Sequence, residues 1–143
     1  MKRFATAHWK GSVKQGEGTI STESGALDHS PYGFNTRFED GPGTNPEELL
    51  GAAHAGCYSM ALSMMLGAEG HPPTHIDTRA VVSLESQEGG FSITHIHLDT
   101  QARVPGIGED QFRVIAEKAK VGCPLSKVLN AEITLEATLA DDL

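Results

Sequence analysis

"NPEELLGAAHAGCYSMALSMML", residues 45–66, decides the fold. Beyond its two glutamates it carries almost nothing polar, and it reads as one long helix. Pro46 favours the first helical position and Asn45 the N-cap, so the helix should begin there. It should run to about Gly67 or Gly70, where "HPP" (71–73) stops it. A helix apolar on all sides needs cover on several faces, and two-fold packing of two such helices in a dimer would provide it. Cys57 lies in its middle, and the second of the two cysteines lies far along the chain in "KVGCPLSKVL" (120–129).

Upstream, "RFATAHWKGSV" and "GTISTES" flank the turn-rich "KQGEG" and read as a hairpin. "YGFNTRFED" (32–40) alternates, with Phe34, Thr36 and Phe38 on one face and Asn35, Arg37 and Glu39 on the other, and reads as a third strand. Downstream, "THIDTRAVVSLES" and "FSITHIHLDTQARV" flank "QEGG" and read as a second hairpin. The apolar phase slips between Ile93 and Ile96, the mark of a bulge or of another register. In "EDQFRVIAEKAK", Phe112, Ile115, Ala116 and Ala119 share one helical face. Pro124 opens a short third helix with Cys123 at its N-cap, and "EITLEATL" closes the chain as a strand. Three strands, a long helix, two strands, two helices and a strand make an α+β chain with antiparallel sheet. No repeat, linker or low-complexity segment divides it, so residues 1–143 are expected to form a single domain.

Composition narrows the function. A net charge of −8 disfavours a nucleic-acid backbone or an anionic membrane surface as partner. "MKRFATAHWK" has no apolar run behind its basic residues, so no signal peptide is expected. No stretch is read as reaching the roughly 20 apolar residues of a membrane span. The expectation is a soluble, cytoplasmic protein. In a reducing compartment two cysteines are seldom a structural staple, although a bridge closing this loop could add roughly 4 kcal/mol.

A cysteine is a nucleophile only as thiolate, and burial on an apolar helix opposes ionisation. Ala53, Met60, Ala61 and Met64 surround Cys57 on the helix, so it is either inert core or served by a cation from elsewhere. Arg37, in the segment leading into the helix, is the best candidate cation. Such an arginine needs a carboxylate. With Asn45 as cap, Glu48 falls at the capping-box position and Glu47 is the freer acid; with Thr44 as cap the roles swap. Glu47 precedes Cys57 by about 15 Å of straight helix, so a shared site requires a bent helix or two chains. Cys123, at a helix N-terminus, feels a field that favours thiolate, and cysteine is not a preferred cap. A reactive thiol with a second thiol nearby is the arrangement of a redox centre.

Other chemistries are less supported. His95 and His97 share a strand face, but there is no C-x-x-C and no H-E-x-x-H, so no metal is expected. His54, one turn before Cys57, could act as the base of a cysteine hydrolase, with no acid or amide evident to orient it.

"GFNTRFEDGPGTNPEELLGAAHAGCYSMALSMML" (33–66) and "KAKVGCPLSKVLNAEITL" (118–135) together resemble the OsmC/Ohr family, in its OsmC branch. The resemblance covers nearly the whole chain. It implies an OsmC-like fold, an intertwined homodimer with central helices between antiparallel sheets and active sites at the subunit interface. It implies a thiol peroxidase that reduces organic hydroperoxides, and hydrogen peroxide more weakly, in oxidative or osmotic stress, with no cofactor. By the same resemblance Cys57 is the peroxidatic cysteine and Cys123 the resolving one. Arg37 stabilises the thiolate and orients the peroxide, Glu47 holds Arg37, and a dithiol of lipoyl type is the reductant. Two further readings stand beside it. In one, the protein is a stress protein that binds a hydrophobic small molecule with inert thiols. In the other it is the His54 hydrolase, for which loss of Cys123 would be silent.

Overall fold

The computed structural model describes residues 1–141, which fall into two compact units, one over Met1–Leu49 and one that begins at Leu50. In the first, β1 (Ala5–Lys10), β2 (Glu17–Thr22) and β3 (Ser30–Tyr32) form an antiparallel sheet in that order. The expected hairpin is β1–β2, paired from Ala5 opposite Thr22 to Lys10 opposite Glu17. Gly11, at φ 95°, takes the left-handed conformation that its turn requires. Gly18 sits where a Cβ would strike the rings of Tyr32 and Trp9, which pack at 5.5 Å between centroids.

The expected third strand is cut short. Residues 30–32 are strand, but Phe34–Phe38 form a short helix, α1, so Arg37 is a helical and not a strand residue. The alternation of Phe34, Thr36 and Phe38 misled, because two other contacts win. The rings of Phe34 and Phe38 meet at 5.0 Å, an i,i+4 helical pair, and the Thr36 hydroxyl accepts the Gly33 N–H at 2.9 Å.

α2 (Pro46–Ala68) begins at the expected residue. Asn45 Oδ1 accepts the N–H of Glu48 at 2.8 Å, and Asn45 Nδ2 donates to Glu48 Oε2 at 3.1 Å. Asn45, not Thr44, is therefore the cap, and Glu48 answers it. α2 corrects one expectation: it has 23 residues and a mean hydropathy of 1.3 in its most apolar window, long and apolar enough to cross a membrane by length and composition alone. In the second unit it has a different occupation. Gly51, His54, Tyr58, Ala61, Leu62 and Leu66 are buried along one face. Gly51 brings the helix to 3.5 Å from the Ala80 carbonyl, measured from the position of an added Cβ.

β4 (His75–Gln87) and β5 (Gly90–Arg103) form the second hairpin. Ser83 faces His95 and Leu84 faces Ile93, so Thr94 is the extra residue of a bulge, which accounts for the slip in apolar phase. Past the bulge, Ile96, Leu98, Thr100 and Ala102 point to the core. α3 (Glu109–Gly122) buries the four residues expected of it: Phe112, Ile115, Ala116 and Ala119. α4 (Pro124–Val128) follows at once, and β6 (Glu132–Leu139) completes the sheet in the order β4-β5-β6. β6 runs parallel to β5, so this sheet is mixed and not wholly antiparallel. The intervening α3 and α4 supply the long crossover that parallel pairing needs.

Phe112 is fully buried among Leu62, Leu66, Leu98 and Ile115 in one apolar cluster. Phe112→Ala should lower the unfolding free energy by about 3–5 kcal/mol, measured by denaturant titration. A loss below about 1 kcal/mol would mean that α3 does not pack as described.

Candidate active site

Cys57 and Cys123 come from α2 and from the junction of α3 with α4, and their sulfurs lie 2.9 Å apart. Both are free thiols, Cys57 half-buried and Cys123 fully buried. A disulfide needs about 2.05 Å between sulfurs, so closing this pair takes a movement of under about 1 Å. The meeting follows from the chain path at Cys123. Its N–H donates to the Ala119 carbonyl at 2.9 Å, ending α3, and its carbonyl accepts the Lys127 N–H at 3.1 Å, starting α4. The sharp turn between the helices aims the side chain at α2.

Cys123 occupies the expected N-cap position, but its sulfur makes no capping bond. The helix it opens has five residues, too short a stack of peptide dipoles to carry the field argued from sequence. The first turn of α4 acts on the other thiol instead, through the Leu125 N–H, which donates to Cys57. Burial is the largest influence on Cys57 and pushes its pKa up; the hydrogen bond with Cys123 pushes the same way, and the Leu125 N–H opposes both. Tyr58, beside Cys57, is also pushed up by burial, and its hydroxyl donates to the Ala116 carbonyl at 3.2 Å.

Arg37 and Glu47 meet in the first unit. Arg37 Nε lies 3.1 and 3.2 Å from the two Glu47 oxygens, and Nη2 lies 2.7 Å from Oε1. This two-pronged grip fixes the plane of the guanidinium. Glu47 is the paired acid and Glu48 the capping one, the choice that the Asn45 cap implied. Arg37 also lines a cavity of about 310 Å³ with Trp9, Val13, Tyr32, Phe34 and Phe38, an apolar chamber with one cation in its wall.

The histidines are engaged otherwise. His95 Nε2 and His97 Nδ1 both hydrogen-bond Thr134 Oγ1, at 3.0 and 2.6 Å. Among the described residues no cluster of three or more His, Cys, Asp or Glu side chains has metal-binding geometry. His54 Nε2 meets Ser126 Oγ at 2.8 Å. The roles of Leu125 and Ser126 were not visible in the sequence, because a backbone N–H and a lone serine carry no signal until the turn at Cys123 is known.

Residues 39–138 match the model of the OsmC-like protein family. The chain belongs to the OsmC-like family. It is 61% identical over 133 residues to the peroxiredoxin OsmC of Escherichia coli K12, covering 93% of each chain. It is 29% identical over 101 residues to an organic hydroperoxide resistance protein of Xanthomonas axonopodis, covering 70% of this chain and 69% of that one. The crystal structure of the organic hydroperoxide resistance protein OhrB of Bacillus subtilis superposes with a TM-score of 0.70 at 25% identity, covering 94% and 98% of the two chains. OsmC-like proteins thus share the α+β architecture described above.

If Cys123 holds the Cys57 thiol protonated, Cys123→Ala should lower the midpoint of Cys57 alkylation by iodoacetamide as a function of pH. Cys57 would then react faster at pH 7 to 8. An unchanged or higher midpoint would contradict the assigned influence.

Proposed function

We propose that this OsmC-like chain, a thiol peroxidase of peroxide-stress defence, reduces organic hydroperoxides through Cys57 and resolves the product with Cys123. The observation that carries the reading is the pair of free thiols 2.9 Å apart, brought together from helices distant in sequence. The 61% identity to a peroxiredoxin supports it.

In the reaction, the Cys57 thiolate attacks the terminal peroxide oxygen. The O–O bond breaks, the alkoxide leaves and takes up a proton as alcohol, and Cys57 becomes a sulfenic acid. Cys123 then attacks the Cys57 sulfur, the S–O bond breaks, and water leaves as the disulfide forms. An external dithiol, of lipoyl type in our reading, exchanges with the disulfide and restores both thiols. The cycle belongs in the cytoplasm, where thiols are kept reduced.

Burial works against the Cys57 thiolate, so the reaction needs a cation. Arg37, held in plane by Glu47, is that cation in our reading, and the apolar cavity at Arg37 suits an alkyl or aryl hydroperoxide. Residues 1–143 then act as a single domain, and a homodimer completes the site. Two exposures support the dimer. Met60 and Met64 on α2 are 77% and 68% exposed, and β1 is exposed along its whole length. Apolar helix surface of this kind is the usual mark of an interface.

The hydrolase alternative needs an imidazole bonded to a thiol. His54 bonds Ser126 through Nε2, and its Nδ1 has no partner among the described residues.

Consumption of cumene hydroperoxide with a dithiol reductant is the test. Cys57→Ser should abolish turnover, and Arg37→Ala should lower it by at least about 100-fold with the fold intact by circular dichroism. Near-normal turnover in Arg37→Ala would remove Arg37 from the site, and turnover in Cys57→Ser would overturn the reading.

A further inference from the structure

His54 is fully buried, one turn ahead of Cys57 on α2. Its Nε2 lies 2.8 Å from Ser126 Oγ, in the first turn of α4. Its Nδ1 is buried with no hydrogen-bond partner among the described residues. Burial pushes the imidazole pKa down, so the ring is neutral near pH 7. An unpaired buried polar atom is destabilising. A leucine could occupy this apolar position without that cost. What the imidazole adds is its bond to Ser126.

α4 needs such a bond. It has five residues, none of them fully buried, and of these Leu125 alone packs, part-buried, against the apolar core, so burial of apolar surface holds it only weakly. Three contacts reach α2: Cys123, at the N-cap of α4, through its sulfur, and within α4 Leu125 through its N–H and Ser126 through its hydroxyl. The first two contacts end on the Cys57 sulfur, the atom that the peroxide oxidises. An added oxygen on that sulfur alters both at the moment when Cys123 must be close. The third contact does not involve the reacting atoms.

We propose that His54 and Ser126 are a positioning pair that latches α4 to α2 while Cys57 is a sulfenic acid, and so keeps Cys123 in reach for resolution. This rests on the peroxidatic and resolving roles given above to Cys57 and Cys123. In the resolution step the Cys123 sulfur supplies the electron pair of the S–S bond. The S–O bond of Cys57 breaks, and the hydroxide leaves as water with the Cys123 proton. A straying α4 leaves the sulfenic acid open to a second hydroperoxide molecule, which oxidises it to sulfinic acid.

The test is a single-turnover reaction of reduced, full-length protein with an organic hydroperoxide and no reductant. Mass spectrometry follows loss of the Cys57 thiol, its dimedone-trapped sulfenic acid, its sulfinic acid and the Cys57–Cys123 disulfide. His54→Leu and Ser126→Ala should each slow disulfide formation at least about tenfold relative to oxidation of Cys57, with sulfinic acid accumulating. His54→Gln, whose amide reaches the place of Nε2, should recover most of the resolution rate. The latch is overturned if both variants resolve at the wild-type rate. It is also overturned if they slow the two steps alike without rescue by glutamine, the sign of a merely structural role. A wild type that forms neither sulfenic acid nor disulfide overturns the peroxidase reading and the latch with it.

Discussion

The buried face of α2 is the constraint on which the second unit depends. Its buried positions, Gly51, His54, Tyr58, the adjacent Ala61 and Leu62, and Leu66, follow one another at helical spacing along one face and commit the helix to one orientation. Polar anchors then fix it along its length. Tyr58 donates to the Ala116 carbonyl of α3, and Ser59 joins a hydroxyl chain through Thr78 and Thr100 that ends on the Asp77 carbonyl. Cys57 lies between these buried residues, half-covered, so its place is set by the packing of its neighbours.

The same arrangement carries a chemical cost. Covering a thiol raises its pKa, and among the described residues of the second unit the opposing influence is the Leu125 N–H. A peroxidase therefore needs a positive charge beyond those that this unit brings to the sulfur. The first unit holds an arginine fixed in plane by a carboxylate, beside an apolar chamber. In the function proposed above, that charge and that lipophilic space serve the reduction of an organic hydroperoxide.

Much of this was legible in the sequence, for stateable reasons. The start of α2 was readable because Asn45, Pro46 and Glu48 form a local signal whose bonds close within one turn. The core face of α3 and the slip of phase between Ile93 and Ile96 were readable because burial imposes a period; that the slip is a bulge at Thr94, and not another register, came from the strand pairing. α1 was misread because five residues satisfy a strand pattern and a helix pattern equally, and only the Phe34–Phe38 contact and the Thr36 bond to Gly33 decide between them. The parallel pairing of β6 was not legible, since an alternating strand does not record the direction of its neighbour. Arg37 and Glu47 were found as types and as a pair, though Arg37 stands on a helix and not on a strand. Ser126 and the Leu125 N–H became visible only with the turn at Cys123.

The central claim is that the two thiols are one redox centre. The most direct test titrates the reduced protein with an organic hydroperoxide, without reductant, and counts products. The account predicts one alcohol released and two thiols lost per chain, with Cys57 and Cys123 recovered in one disulfide-linked peptide. Both thiols intact in excess hydroperoxide, with no alcohol formed, would contradict it.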